Sequence, residues 1–188
     1  AAVVINLGIL LRDLGTSAAI IQRKVLSNNL INSIFWLNVG LGVFLCAVIM
    51  LLAKPLAILY GYPELVTILI LLGLTFPLSS CAAAHLALLE RDSRFKTISR
   101  IEVTSALLSV VVAIIMANFG FGVFSLVAQA IIMNLVSAIQ FWIVSTWRPS
   151  VKQFIKLNDI KEIFSFSTNL SLFNFINYFS RNADSFIV

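Results

Sequence analysis

The chain has 188 residues, of which 60% are hydrophobic and 11% are charged, and its mean hydropathy is +1.02. A soluble domain carries about a quarter charged residues, so this composition excludes an ordinary soluble enzyme and favours a polytopic membrane protein. The formal net charge of +5 does not indicate nucleic-acid binding, because the basic residues lie between long apolar runs.

The two cysteines and the start of the chain show no pattern of a disulfide, a metal site or a signal peptide. Cys46 and Cys81 each lie inside an apolar run and indicate neither a disulfide framework nor a metal site. The chain begins at Ala1 in the middle of an apolar run, without a methionine and without the pattern of a signal peptide. We therefore expect it to be an internal piece of a longer protein.

The apolar runs predict six membrane-spanning helices, in residues 1–21, 30–52, 65–89, 103–119, 123–144 and from 164 onward. Pro55 is expected to end the second span, before a short piece and a turn at 61–64. The densely charged segment 88–102 is expected to be a loop between the third and fourth spans. Residues 150–163 alternate lysines with apolar side chains, which predicts a short amphipathic helix in the membrane interface.

The distribution of basic residues predicts the orientation of the bundle. The loops after the second and fourth spans hold Lys54 alone, whereas those after the first, third and fifth hold ten basic residues. Because cytoplasmic loops are rich in Lys and Arg, we expect these three loops to be cytoplasmic. Tyr60 and Tyr62 at one end, and Trp142 and Trp147 at the other, fit interfacial aromatic belts. The ten basic residues are Arg23, Lys24, Arg91, Arg94, Lys96, Arg100, Arg148, Lys152, Lys156 and Lys161.

The sixth span is unusually polar. Asn174, Asn177, Arg181 and Asp184 follow one another at steps of three, four and three, which keeps them on one face of a helix. A charge at the bilayer centre costs about 2.5–3.5 kcal/mol, so we expect this stripe to line a protein or water-filled cavity. The alternative is an ion pair of Arg181 with Asp184 that holds helices together.

The first span repeats this pattern with the adjacent pair Arg12 and Asp13. If the first and sixth spans border one cavity, Arg12 and Arg181 give it a positive potential that suits an anionic ligand. The alternative is a pairing across helices, such as Arg12 with Asp184, that neutralises both charges.

Two residues of the third span were considered for function. Pro77 lies in mid-span, where its missing N–H predicts a kink and makes it a hinge candidate. His85 follows Cys81 by one turn, and we expect a packed or interfacial histidine there and no metal site. No nucleophile, zinc or phosphate-binding motif occurs in the sequence, so no enzyme activity and no cofactor are expected.

Seven segments, in order and spacing, resemble the Wzx-like polysaccharide flippases. The resemblance covers essentially the whole chain and is closest to the colanic acid exporter branch of the multidrug/oligosaccharidyl-lipid/polysaccharide exporter superfamily. The segments are LGTSAAIIQRK (14–24), FWLN (35–38), YGYPEL (60–65), LLERDSRFKTISRIE (88–102), FGFGVF (119–124), WRP (147–149) and NYFSRNAD (177–184).

The resemblance implies a transporter of about twelve to fourteen helices in two lobes, in the bacterial inner membrane. Such a transporter moves an undecaprenyl-diphosphate-linked oligosaccharide from the inner to the outer leaflet by alternating access. On this mapping residues 1–149 are part of the first lobe, 150–163 a cytoplasmic connector, and 164–188 the first helix of the second lobe.

Charge and position suggest roles within such a transporter. Arg12 and Arg181 are candidates for the diphosphate or acidic sugars, and Asp13 or Asp184 for a coupling cation, either proton or sodium. Two other functions stay open. A cation-coupled multidrug antiporter of the same superfamily fits the paired charges, whereas a glycosyltransferase or polymerase of the same pathway needs a large extramembrane loop that this sequence lacks.

Overall fold

The computed structural model describes residues 20–21 and 27–150. This part of the chain is helical and holds no strand. Its five helices form four segments that are long and apolar enough to cross a membrane, with α2 and α3 together making one of them. The predicted all-α membrane bundle is therefore confirmed, while most of the first predicted span and all of the sixth lie outside the described residues. The helices are α1 (Asn28–Tyr60), α2 (Glu64–Gly73), α3 (Thr75–Arg91), α4 (Phe95–Asn118) and α5 (Val123–Val144).

Helix α1 has a well-defined cap at each end. It begins after Ser27, whose Oγ accepts a hydrogen bond from the backbone N–H of Leu30 at 3.2 Å. It ends at Gly61, whose φ of +70° lies in the left-handed region that closes a helix. Between the caps, 33 residues give a length of about 50 Å, more than a bilayer core requires.

Pro55 does not end the second span, so that prediction is wrong. The helix runs through Pro55 to Tyr60. Pro55 and Leu51, whose carbonyl loses its helical partner, are both exposed, whereas Ala53 and Ala57 are buried. The helix continues because its inner face stays packed against α2 and the unpaired carbonyl lies on the outer face.

The third span is interrupted, as Pro77 predicted. Helix α2 ends at Gly73 and α3 begins at Thr75, with Leu74 between them. Pro77 has no N–H to donate to the Gly73 carbonyl, so the α-helical ladder cannot continue through this point. In α3, Pro77 occupies the first turn, where a backbone N–H has no helical partner in any case.

The charged segment 88–102 is mostly helical, which corrects the predicted loop. Only Asp92, Ser93 and Arg94 separate α3 from α4, and Ser93 has a φ of +53°. The Arg94 N–H closes this turn on the Leu89 carbonyl at 2.9 Å. Long basic side chains extend from helix ends to the interface, so the charges need no long loop.

The helices pack in the order α1, α2–α3, α5, α4, with α3 and α5 in contact at the centre. Small residues permit the closest approaches. A methyl group on Gly42 of α1 would lie 2.3 Å from Ser80 Oγ of α3, and buried Ser105 and Ser109 line α4 where it meets α5. Gln140 of α5 joins this second contact by donating to Ser105 Oγ at 3.2 Å.

Candidate functional site

The start of α1, the ends of α3 and α5 and the start of α4 lie together at one end of the bundle, here named the basic end. Hydrogen bonds join the start of α1 to Ser150 and the end of α3 to Ile20. The described basic residues of the predicted cytoplasmic loops are all at this end, as the charge alternation required. That the basic end faces the cytoplasm stays a prediction. These residues are Arg91, Arg94, Lys96, Arg100 and Arg148.

Arg91 ties the end of α3 to the end of the first predicted span. Its Nη1 donates to the Ile20 carbonyl at 2.6 Å and reaches the Ile21 carbonyl at 3.4 Å. Ile20 is itself fully buried against Ala84 and Ala87 of α3. A charge-assisted bond to a backbone carbonyl next to a packed apolar side chain fixes these two segments together.

Asn32, in the first turns of α1, clamps the segment that follows α5. Its Nδ2 donates to the Ser150 carbonyl at 3.0 Å, and its Oδ1 accepts from the Ser150 N–H at 2.8 Å. Trp36 Nε1, one turn further on, donates to the same carbonyl at 3.2 Å. The buried side-chain amide thus satisfies both the N–H and the carbonyl of Ser150 and holds residues 145–150 against α1.

Beneath this clamp lies an aromatic–histidine cluster of Phe35, Trp36, His85, Trp142 and Trp147. The Phe35 ring centroid is 5.4 Å from that of Trp36, 6.1 Å from Trp142 and 5.7 Å from Trp147. The rings meet mostly edge to face, the arrangement that aromatic quadrupoles favour. All three tryptophans of the sequence are therefore packed here, and Trp142 and Trp147 are half-buried against the core residues of this cluster.

His85 is the centre of the cluster and is fully buried. Its ring centroid lies 4.7 Å from that of Trp142, 5.5 Å from Trp147 and 6.3 Å from Phe35. Neither ring nitrogen has a hydrogen-bond partner among the described residues. Within the same part of the chain no three His, Cys, Asp or Glu side chains group so as to hold a metal ion. His85 is thus a packed ring, as expected from the sequence.

An apolar groove runs between α3 and α5 beside this cluster, with a volume of about 390 Å³. Leu78 and Cys81 of α3 form one wall and Leu135, Ile139 and Trp142 of α5 the other. The indole of Trp142 is held in this wall because its Nε1 donates to the Cys81 carbonyl at 3.0 Å.

Arg148 closes the groove at the basic end. Its guanidinium carbon lies 6.0 Å from the Trp142 ring centroid, within the range of a cation–π contact. Its Nη1 donates to the carbonyls of Ser145 and Trp147, and the side chain is otherwise exposed. The groove therefore combines an apolar floor with one positive charge at its mouth.

The residues predicted to line a transport cavity lie outside the described part of the chain, as do the predicted anchors Arg23 and Lys24. Pro77 lies at the break between α2 and α3. Sequence reasoning did not find the clamp or the groove, because their members are separated by up to 118 residues and share no periodicity. The one available signal was that all three tryptophans and the single histidine fall near predicted ends of spans. The undescribed cavity candidates are Arg12, Asp13, Asn174, Asn177, Arg181 and Asp184.

Comparison with known proteins identifies the family. The profile of the family described as "Polysaccharide biosynthesis protein" matches residues 1–188. The chain is 31% identical over 134 residues to the succinoglycan biosynthesis transport protein ExoT of Rhizobium meliloti (strain 1021), covering 71% of this chain and 27% of that protein. It is 31% identical over 117 residues to the lipopolysaccharide biosynthesis protein WzxC of Escherichia coli (strain K12), covering 62% and 24%.

A third relative matches over more of the chain. The teichuronic acid biosynthesis protein TuaB of Bacillus subtilis (strain 168) is 25% identical over 181 residues, which cover 94% of this chain and 36% of that protein. The chain thus spans between about a quarter and just over a third of the length of these relatives. No solved structure matches the sequence.

A membrane protein encoded in the cps region of Klebsiella pneumoniae is 28% identical over 187 residues, which cover 95% of this chain and 37% of that protein. The four apolar segments and these relatives agree on a multi-pass protein of the bacterial inner membrane. The profile match extends over the full sequence, and the resemblance to the Wzx-like flippases is confirmed by the named relatives. The chain belongs to the polysaccharide biosynthesis protein family of membrane proteins.

Proposed function

We propose that the full-length protein flips an undecaprenyl-diphosphate-linked oligosaccharide from the inner to the outer leaflet of the inner membrane during polysaccharide biosynthesis. The observation that carries this proposal is the full-length match of a membrane-spanning helical bundle to a polysaccharide biosynthesis family, one member of which is named a transport protein. The description of ExoT as a transport protein supports transport as the activity.

The break between α2 and α3 supports alternating access as the mechanism. Leu74 keeps helical dihedral angles, φ −65° and ψ −19°, so the break is a local interruption of the hydrogen-bond ladder, and interrupted helices are common in transporters. Gly73 is buried at this break, next to Cys46 and Ile49 of α1. Under the proposal, rearrangement of α2 relative to α3 accompanies the exchange between inward-open and outward-open states.

The substrate contacts are proposed to lie in the two polar spans. Arg12 and Arg181 would bind the diphosphate or acidic sugars, with Asn174 and Asn177 beside them. Asp13 or Asp184 would bind the coupling cation. These assignments follow from the cost of placing charges in hydrocarbon, which requires a protein or aqueous environment around them.

A gene deletion tests the proposal. Deletion should accumulate lipid-linked repeat units on the cytoplasmic side and abolish exported polysaccharide, and the wild-type gene should restore export. Arg181→Ala should fail to restore it, whereas Arg100→Gln, at an exposed position on α4, should restore it. Normal export in the deletion strain would contradict the function, and full rescue by Arg181→Ala would contradict only the cavity assignment.

The same deletion strain distinguishes a flippase from the alternative function, a multidrug antiporter. An exporter of drugs would leave lipid-linked intermediates unchanged and alter drug resistance, the opposite of the expected pattern.

Sidedness is tested by labelling Arg94→Cys and Gly120→Cys, which lie in exposed turns at opposite ends of α4. Residue 94 should react from the cytoplasm and residue 120 from outside.

A further inference from the structure

We propose that the groove between α3 and α5 is a binding site for one anionic phospholipid of the surrounding bilayer. An acyl chain would lie along the apolar walls, and the phosphate would contact the guanidinium of Arg148. This site is separate from the polar spans proposed to bind the transported substrate, and it does not depend on what that substrate is.

No described helix covers the outer side of the groove. Ile139 is 51% exposed and Ile143, also in the lining, is 73% exposed among the described residues. Under the proposal these two side chains contact the acyl chain of the bound phospholipid. From Leu135 to Ile143 the groove follows α5 for about 12 Å. This length suits the upper part of an acyl chain that lies parallel to the helix.

The charge at the mouth selects the headgroup. Arg148 makes no ion pair among the described residues, since its bonds go to two backbone carbonyls through Nη1. A guanidinium carries five N–H donors, and those on Nη2 and Nε are left to meet a phosphate. The Trp142 ring beneath it keeps the guanidinium at the end of the groove.

The position of the site along the helices fits a headgroup. Arg148 follows the end of α5 at Val144 by four residues, at the level of Trp147. Tryptophan is enriched at the membrane interface, and basic pockets between helices at the cytoplasmic side bind anionic headgroups. The bilayer phospholipid is favoured over the lipid-linked substrate because no described helix covers the groove and phospholipid is the abundant lipid of the membrane.

Native mass spectrometry of the full-length protein, titrated with phosphatidylglycerol, tests the proposal. The wild type should bind one phosphatidylglycerol about fivefold more tightly than phosphatidylcholine, because one basic residue favours a net anionic headgroup over one whose phosphate is offset by a choline ammonium. Arg148→Gln should remove this preference, and Arg148→Lys should retain most of it. Ile139→Trp should weaken binding of both lipids by filling the groove.

Two matched variants control for charge and bulk. Arg100→Gln removes the same charge at the same end of the bundle but outside the groove, and it should leave the preference intact. Leu107→Trp adds the same bulk at a 62% exposed position on α4 and should not change lipid binding. Each variant is first shown to elute as a monodisperse species.

Three results would overturn the proposal. The first is equal binding of the two phospholipids by the wild type. The second is an unchanged preference in Arg148→Gln. The third is tighter binding of undecaprenyl phosphate than of phosphatidylglycerol, lost in Ile139→Trp, because the groove would then hold the substrate lipid.

Discussion

The side-chain amide of Asn32 forms two hydrogen bonds with the backbone of Ser150, at 2.8 and 3.0 Å, across 118 residues of sequence. This pair joins the start of the first described helix to the segment that leads out of the fifth. The pair thus holds the last described residues, 145–150, against the start of α1. The aromatic–histidine cluster lies directly beneath it and packs the same elements together.

Asn32→Ala is expected to release residues 145–150 from α1. The variant loses at least the two hydrogen bonds to Ser150, one donated and one accepted by the buried amide, and two such bonds are worth about 1–3 kcal/mol of unfolding free energy. Hydrogen–deuterium exchange of the full-length protein should show faster exchange in the peptide that holds Ser150.

Asn118→Ala is the control for this clamp. Asn118 is exposed, and among the described residues its Nδ2 bonds only to the Ile114 carbonyl of its own helix. It should leave exchange near Ser150 unchanged. Equal exchange in the wild type and in Asn32→Ala would show that the clamp does not hold the segment.

His85→Phe is expected to be neutral or stabilising, whereas His85→Ala should cost about 2–5 kcal/mol. The imidazole nitrogens have no partner among the described residues, so a phenyl ring fills the cage of Phe35, Trp142 and Trp147 without losing a hydrogen bond. Alanine instead leaves a cavity between the rings. Thermal unfolding in detergent measures both, and equal losses would mean that His85 has a hydrogen-bond partner elsewhere in the protein.

Gly42→Ala is expected to separate α1 from α3 and to cost about 1–3 kcal/mol, because the added methyl overlaps Ser80. Gly40→Ala is its matched control, since a methyl group there meets nothing within 4 Å and a helical Ala replaces a helical Gly. Melting temperatures of the two purified variants should therefore move in opposite directions or by clearly different amounts. A similar drop in both would exclude the close contact as the cause.

Pro77→Ala is expected to lower transport if the break between α2 and α3 takes part in the motion. The substitution supplies an N–H that can bond to the Gly73 carbonyl and rejoin the two helices. Pro55→Ala is the comparison, because Pro55 lies in a continuous helix. The measurement is the export rate of each full-length variant. Export at the wild-type rate by Pro77→Ala would contradict the role of Pro77 as a hinge but not the proposed function.

The spans were predictable because hydropathy alone marks them, and the fifth runs over Val123–Val144 as expected. The helix ends were less so. Pro55 was expected to stop a helix and does not, because burial of Ala53 and Ala57 outweighs one lost hydrogen bond. Charge density in 88–102 suggested a loop, yet long basic side chains are stable on helix ends near the interface.

The site was predictable only in part. Counting Lys and Arg in alternate loops identified the basic end of the bundle, and this count needs no knowledge of packing. The clamp and the groove depend on which helices are neighbours, and one sequence does not contain that information. Asn32, in particular, has no local feature that distinguishes it from Asn28 or Asn29 before Ser150 is placed beside it.

Flipping in proteoliposomes tests the central claim most directly. The full-length protein is reconstituted with a labelled undecaprenyl-diphosphate-linked oligosaccharide, and an impermeant reagent reports how much sugar is accessible from outside. We expect the accessible fraction to rise with time in the proteoliposomes and to stay constant in protein-free liposomes. An accessible fraction that matches protein-free liposomes, with the protein folded and any coupling gradient of protons or sodium supplied, would contradict it.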